Sequence, residues 1–389
     1  MTVIEKADVR IEEELDQLLE FVARHVDADH CRKVDERYRN VLSCEEVDRP
    51  PLVVQAEFGQ TLNLPSPWGS FQSYSYREAF DNPAAMMQNM LLARVVPGLI
   101  LEDDNPLAIR NDHGTVQIAS VLGGKWQLHR DNYPWVEPLR DTDALESIAD
   151  SSELNTEDSV LGKSIHTLGF YNTKLSEHPT LKDHIQISLP DLQGPMDIAE
   201  QLWGSDIYYA FVDSPDLLSR LMSRIVDVVI EVSGRYREYA KDRMEPFANT
   251  QHGYVIPGRL LVRNDSSVML SPGMYSEHVR PHDERLLREV GTGSIHFCGN
   301  GEHLVPGMLK IEPLRGLDFG QPHLVDVKRI YGMCKDRKVA ITNVCPSREE
   351  LVSGEAVRAF PTGAVFLYRT QGIEDAREVV EAYRAGEAD

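Results

Sequence analysis

Positive charge is what this chain most conspicuously lacks. Lys and Arg number 40 against 62 Asp and Glu, a formal net charge of −22. No continuous basic surface is available to neutralise phosphates, so a nucleic-acid partner is excluded. Part of the acid lies in terminal stretches such as Glu12-Glu13-Glu14 and Gly386–Asp389, which read as solvated faces. Long apolar runs are missing too. None approaches the ~20 residues that cross a bilayer, and the first residues, MTVIEKADVRIEEELD, contain no apolar signal core. A cytoplasmic protein with no membrane partner is therefore expected. Cysteine is sparse: five, at 31, 44, 298, 334 and 345, make no disulfide framework and should be thiols or ligands. There is no Walker loop, no glycine-rich phosphate fingerprint and no serine nucleophile elbow.

What is present is a chain of 389 residues, 42% hydrophobic and 26% charged, enough to bury a large core. Residues 9–42 carry a helical stripe, Ile11, Leu15, Leu18, Leu19, Phe21, Val22 and Val26, which predicts an N-terminal helical extension (residues 1–48) outside the core. Asp48-Arg49-Pro50-Pro51 marks the boundary. Over residues 49–389 strand and helix patterns alternate. Strands are expected at 52–56, 99–101, 184–189, 258–263, 294–298, 317–320, 339–344 and 364–367, with 109–130 as a hairpin excursion. That alternation predicts a parallel sheet with helical crossovers, closed as a (β/α)8 TIM barrel. Polar residues gather just after strand ends: Gln55 and Glu57, Glu102 to Asp104, Asp191 and Gln193, Asn264 and Asp265, His296 and Cys298, Asp318, Asn343 and Cys345. In a barrel these ends share one mouth.

The stretch Gly291–His303 concentrates this signal. Strand alternation points His296 and Cys298 to one side and Ile295 and Phe297 to the other. An imidazole and a thiol side by side make half a zinc site. A buried cysteine beside a hydrogen-bonded core histidine fits the same pattern.

Several segments, LQGPMDIAEQLWG (192–204), SPGMYSEHVRPHDERLL (271–287), SIHFCGNGEH (294–303), LDFGQP (317–322) and TNVCPSREELVSGEAV (342–357), resemble the uroporphyrinogen decarboxylase superfamily in kind and in order. The resemblance implies a distorted (β/α)8 barrel and one of two chemistries. The metal-free decarboxylase branch carries an arginine-rich segment after the first strand, where this chain has Val54-Gln55-Ala56-Glu57-Phe58-Gly59-Gln60 and no arginine to pair with substrate carboxylates. Asp103 or Asp104 matches that branch's catalytic aspartate, but its late histidine has no counterpart after Phe366. The methyltransferase branch is similar in its His-x-Cys, matching His296 and Cys298, where zinc lowers the pKa of an acceptor thiol. Its third ligand, a late cysteine, is missing; Cys345 is the substitute expected here, with Asp265, Glu302, a water or the substrate completing an open tetrahedral site.

The expectation is thus a zinc-dependent methyltransferase with metal ligands His296, Cys298 and Cys345. Asp103, Asp191 and Asp265 are the catalytic candidates, orienting substrate or metal ligands, and Gln193, Asn264 and His113 the cofactor-binding ones. A corrinoid, a corrinoid protein or a small molecule would donate the methyl group, and a homodimer is the assembly to test. The alternatives are a metal-free decarboxylase using Asp103, and a barrel that binds a corrinoid or porphyrin without turnover. His303 is expected to cap a helix, and Tyr133, Trp126 and Trp135 to wall the mouth.

Overall fold

The computed structural model describes residues 3–56, 66–139, 141–370 and 372–386. It is a mixed α/β protein built on parallel strands. We label the wall strands β1 (Leu52–Ala56), β2 (Ala108–Ile109), β3 (Gln186–Ile187), β4 (Leu260–Arg263), β5 (Gly293–Phe297), β6 (Leu314–Phe319), β7 (Ala340–Val344) and β8 (Ala364–Thr370). Six of them form one parallel sheet in the order β1-β8-β7-β6-β5-β4, and β2 pairs with β3 in parallel. This is a barrel-like arrangement. Among the described residues the ladder is open between β1 and β2 and between β3 and β4, so the expected closed ring is not formed.

The second strand is not where the sequence places it. Residues 99–101 are helical, in Val96–Leu101, which ends an apolar helical stretch Pro83–Leu101 of 19 residues. That stretch is long and apolar enough to cross a membrane by composition alone, yet 67% of its apolar window is buried in the protein. A short apolar run does not by itself distinguish a strand from a buried helix segment. The true β2 lies inside the expected hairpin excursion, which also holds the small hairpin pairing Trp126–Gln127 with Trp135–Val136. The helix Leu161–Ser176, begun by the polar run at 150–164, is likewise absent from the sequence reading.

A second hairpin, Ala248–Gln251 with Tyr254–Pro257, turns at His252 (φ 51°) and Gly253 (φ 89°). Positive φ at both central residues is the two-residue turn that suits strand twist. This hairpin touches strands from both ends of the six-stranded sheet. Gln55 of β1 donates to the His252 carbonyl at 3.0 Å, Ser294 of β5 donates to the Pro257 carbonyl at 2.6 Å, and Tyr254 Oη donates to Asp318 of β6 at 2.8 Å. It therefore lies on the concave side of the sheet. Val53, Leu261, Val365 and Leu367 pack against its Ala248, Tyr254, Val255 and Ile256. The approach is close enough that a Cβ at Gly316 would stand 2.6 Å from Pro257 Cγ. Helix Ala28–Leu42 adds Val34, Tyr38 and Val41 to the same cluster.

The gap between β1 and β2 is bridged by carboxylates. Asp104 accepts from the Leu52 amide at 2.9 Å and bonds Arg37 and Arg49, and its own amide donates to the Leu52 carbonyl at 3.0 Å. Asp103 Oδ2 accepts from the Val54 amide at 2.6 Å, and His30 holds the Asp103 carbonyl at 2.8 Å. Burial, reinforced by the charge of Asp104, raises the Asp103 carboxyl from 3.8 to about 7 against two backbone hydrogen bonds. A carboxyl raised in the folded state binds its proton more tightly there than in the unfolded chain. Its contribution to stability therefore falls as pH climbs from 3.8 through about 7. Asp103→Asn should remove this slope: differential scanning calorimetry from about pH 5 to about pH 8 should show the variant gaining on the parent as pH rises.

Candidate functional site

Where β4, β5 and β6 end, polar side chains converge. His296, the inward residue near the end of β5, is buried, with Nδ1 2.5 Å from Asp318 Oδ2. Asp318 aligns with it in register on β6 and is fully buried. The other Asp318 oxygen accepts from Tyr254 Oη and from Thr342 Oγ1 at 2.6 Å. Burial would depress the imidazole, but the hydrogen bonds with Asp318 and Cys298 raise it to about 10. Burial would raise the Asp318 carboxyl, but His296 and Thr342 hold it well below the carboxylate range.

His296 Nε2 faces the other way. Cys298 Sγ lies 3.5 Å from it and Asp265 Oδ1 3.6 Å from it. Asp265 follows β4 and is fixed by the Cys298 amide, which donates to Oδ1 at 2.7 Å. The ligand atoms of Asp265, His296 and Cys298 all fall within 4.8 Å of one another. Space beside them exists because residue 320 is glycine: a Cβ there would run into Cys298 Sγ and stand 3.2 Å from His296 Nε2.

Cys345, the expected third metal ligand, joins no such group among the described residues. Its thiol donates to Asn343 Oδ1 at 3.4 Å and lies 3.1 Å from an Arg369 guanidinium nitrogen. It lines a pocket of about 370 Å³ that reaches Gly320, with Arg369, His323, Val344 and Phe360 around it. Aligned strand ends are not enough to unite two thiols; Cys345 is turned toward β8.

A cationic cluster stands beside His296. Arg263, the last residue of β4, bonds Asp191 Oδ1 at 2.6 Å and faces His252 Nε2 at 2.5 Å. Asp191 also accepts from Gln193 at 2.6 Å and lies 3.6 Å from Arg110. Burial would raise its pKa, but Arg263 and Arg110 hold it far below the usual range. Arg94 donates to the His252 carbonyl at 3.2 Å. The segment after β1 has no arginine; the arginines here come from other strands and from the helical stretch before β2. Glu57 lies outside the described residues, and Glu102 points to Arg384 at 3.8 Å.

The remaining sequence candidates sit elsewhere. Asp103 lies ahead of β2, against β1, with its carboxylate committed to backbone amides. Asn264 is buried and donates to Asp283 at 2.6 Å. His113 is buried against Phe80, 3.3 Å from Ser164 Oγ, with burial pushing its pKa down to about 3. His303 bonds the Leu270 carbonyl at 2.9 Å. Tyr133 donates to Asp112 at 2.9 Å. The sequence reading assigned no role to His252, Tyr254, Arg263 or Thr342. A polar-apolar alternation around His-Gly at 248–257 is the signal that finds the hairpin; nothing local shows that it enters the sheet's hollow.

No family model matches this chain, and no curated protein sequence matches it. Among solved structures, a methyltransferase from Methanosarcina mazei superposes with a TM-score of 0.60 at 15% sequence identity, over 91% of this chain and 98% of that one. At that identity the likeness shows a shared fold.

Proposed function

We propose that this protein is a methyltransferase in which zinc, held by His296 Nε2, Cys298 Sγ and Asp265 Oδ1, activates an acceptor bound next to it. The observation that carries this reading is the grouping of nitrogen, sulfur and oxygen donors within 4.8 Å, with the histidine's second nitrogen secured by a buried aspartate. Three protein ligands with an open fourth position are the pattern of a catalytic zinc, and a carboxylate on the far nitrogen of a ligating histidine orients the ring. When bound, zinc lowers the pKa of an acceptor thiol so that thiolate is available at neutral pH.

The chain's own residues supply the rest. Asp318 accepts the hydrogen bond from Nδ1–H, which turns Nε2 toward Cys298 and Asp265. The Cys298 amide pins Asp265. Gly320 keeps the space open between this cluster and the pocket lined by Cys345 and Arg369, which we assign to the acceptor. In this reading Cys345 is pocket wall. The transfer forms a bond from acceptor to methyl as the donor–methyl bond breaks, with a corrinoid or a small methylated molecule as donor. The fold shared with a methyltransferase is consistent with this chemistry. Asp103, on which a decarboxylase would depend, stands against β1 with its oxygens on backbone amides.

Metal analysis of the purified protein tests the assignment. Roughly one zinc per chain is expected in the parent and in Cys345→Ser, and little in His296→Ala, Cys298→Ser or Asp265→Ala. A parent without zinc, or zinc lost with Cys345, overturns it. Gly320→Ala should weaken zinc binding by about tenfold or more in a chelator competition, since the added methyl occupies the ligand cradle.

A further inference from the structure

The hairpin Ala248–Gln251/Tyr254–Pro257 meets the His296–Asp318 pair with two side chains. Tyr254 Oη and Thr342 Oγ1 both donate to Asp318 Oδ1, and Oδ2 is left for His296. A carboxylate's last torsion is broad and roughly two-fold, so two donors on one oxygen remove a freedom the aspartate would otherwise keep. His252 adds a lateral contact. Its ring lies stacked on that of His296, with centroids 5.8 Å apart and planes 27° apart. The ring is itself held, through a carbonyl that accepts from Gln55 and Arg94 and through Nε2 facing Arg263.

We infer that this hairpin is an internal splint for the metal centre. Tyr254 and His252 are positioning residues that hold Asp318 and His296 so that Nε2 faces Cys298 and Asp265, and they thereby set the affinity for a divalent cation. The inference rests on the zinc reading above. A different geometry competes with it, because His252, His296 and Asp318 also bring ligand atoms within 4.8 Å of one another. There His252 would be a ligand. Arg263, 2.5 Å from His252 Nε2, puts a fixed positive charge against that nitrogen and disfavours a cation there.

The wedge works because of its construction. The hairpin is anchored on the sheet's hollow by Val255, Ile256 and Ala248 among Val53, Leu261, Val365 and Leu367. The turn carrying His252 is thus delivered to the level of the last inward side chains of β1 and β4, Gln55 and Arg263. Side chains that orient ligands from rigid elements place them more accurately than loop residues do.

Zinc affinity measured by competition with a chromophoric chelator decides the matter, together with the visible absorption of the cobalt(II)-substituted protein. Tyr254→Phe and His252→Gln should each bind zinc with unchanged stoichiometry but about 10- to 100-fold more weakly, and the cobalt bands should shift. Circular dichroism and Tm report whether each variant folds; should Tyr254→Phe fail, His252→Gln decides alone. Affinities within about twofold of the parent overturn the splint while leaving the zinc reading intact. Loss of stoichiometric binding in His252→Gln, as in His296→Ala, overturns it in favour of a ligand role. A parent that binds no zinc overturns both.

Discussion

A buried ion pair between two neighbouring strands governs this site. His296 and Asp318 meet at 2.5 Å with the carboxylate wholly out of water. Stripping solvent from two charges costs several kcal/mol per ion unless other groups replace it. Here Tyr254, Thr342 and the imidazole all address the one carboxylate. Such a pair contributes little to net stability compared with hydrocarbon of the same volume. Its effect is directional: it fixes the ring so that Nδ1 points at Asp318 and Nε2 faces the mouth. The Asp265 and Cys298 grouping follows from that orientation, since both flank Nε2.

The interior hairpin is the structural counterpart of that pair. Wall strands alone would fill the hollow with their own side chains. Small or modest residues at Gly316, Ser294 and Val53 leave room instead for a two-stranded insert. Where the wall's ladder is open, between β3 and β4, Ile187 exchanges backbone hydrogen bonds with Lys241, and the insert adds polar contacts: Thr250 meets Ser188, and Gln251 donates to the Leu189 carbonyl at 3.4 Å. Backbone groups removed from water need such partners. At the opposite opening, between β1 and β2, Asp103 and Asp104 bond backbone amides of β1.

Helix stripes, the parallel alternation from β4 onward and the His-x-Cys face of β5 were legible because period and side-chain direction are local properties. Residues 317–320 and 339–344 are short, partly apolar segments beside turn signals, and they read as strands, which the structure places at Leu314–Phe319 and Ala340–Val344. Residues 99–101 are just as apolar and are helical, since a three-residue run has no period to measure. β2, reduced to Ala108–Ile109, is too short to leave a pattern. The candidate site was half visible. His296, Cys298 and Asp265 stand near strand ends, whereas His252 and Tyr254 act through an insertion whose destination no nearby residue encodes.

The amino-acid sequence by itself determined the class of fold and the pairing of an imidazole and a thiol on one strand face. Only the tertiary structure decided which third donor stands beside them. Asp265 is 33 residues from Cys298 and Cys345 is 47, so distance along the chain favours neither strongly. The choice falls to side-chain direction after β4 and β7: one carboxylate is pinned by the Cys298 amide, while the thiol turns to Asn343 and Arg369. Direction of that kind arises from contacts between strands, and a linear pattern does not contain it.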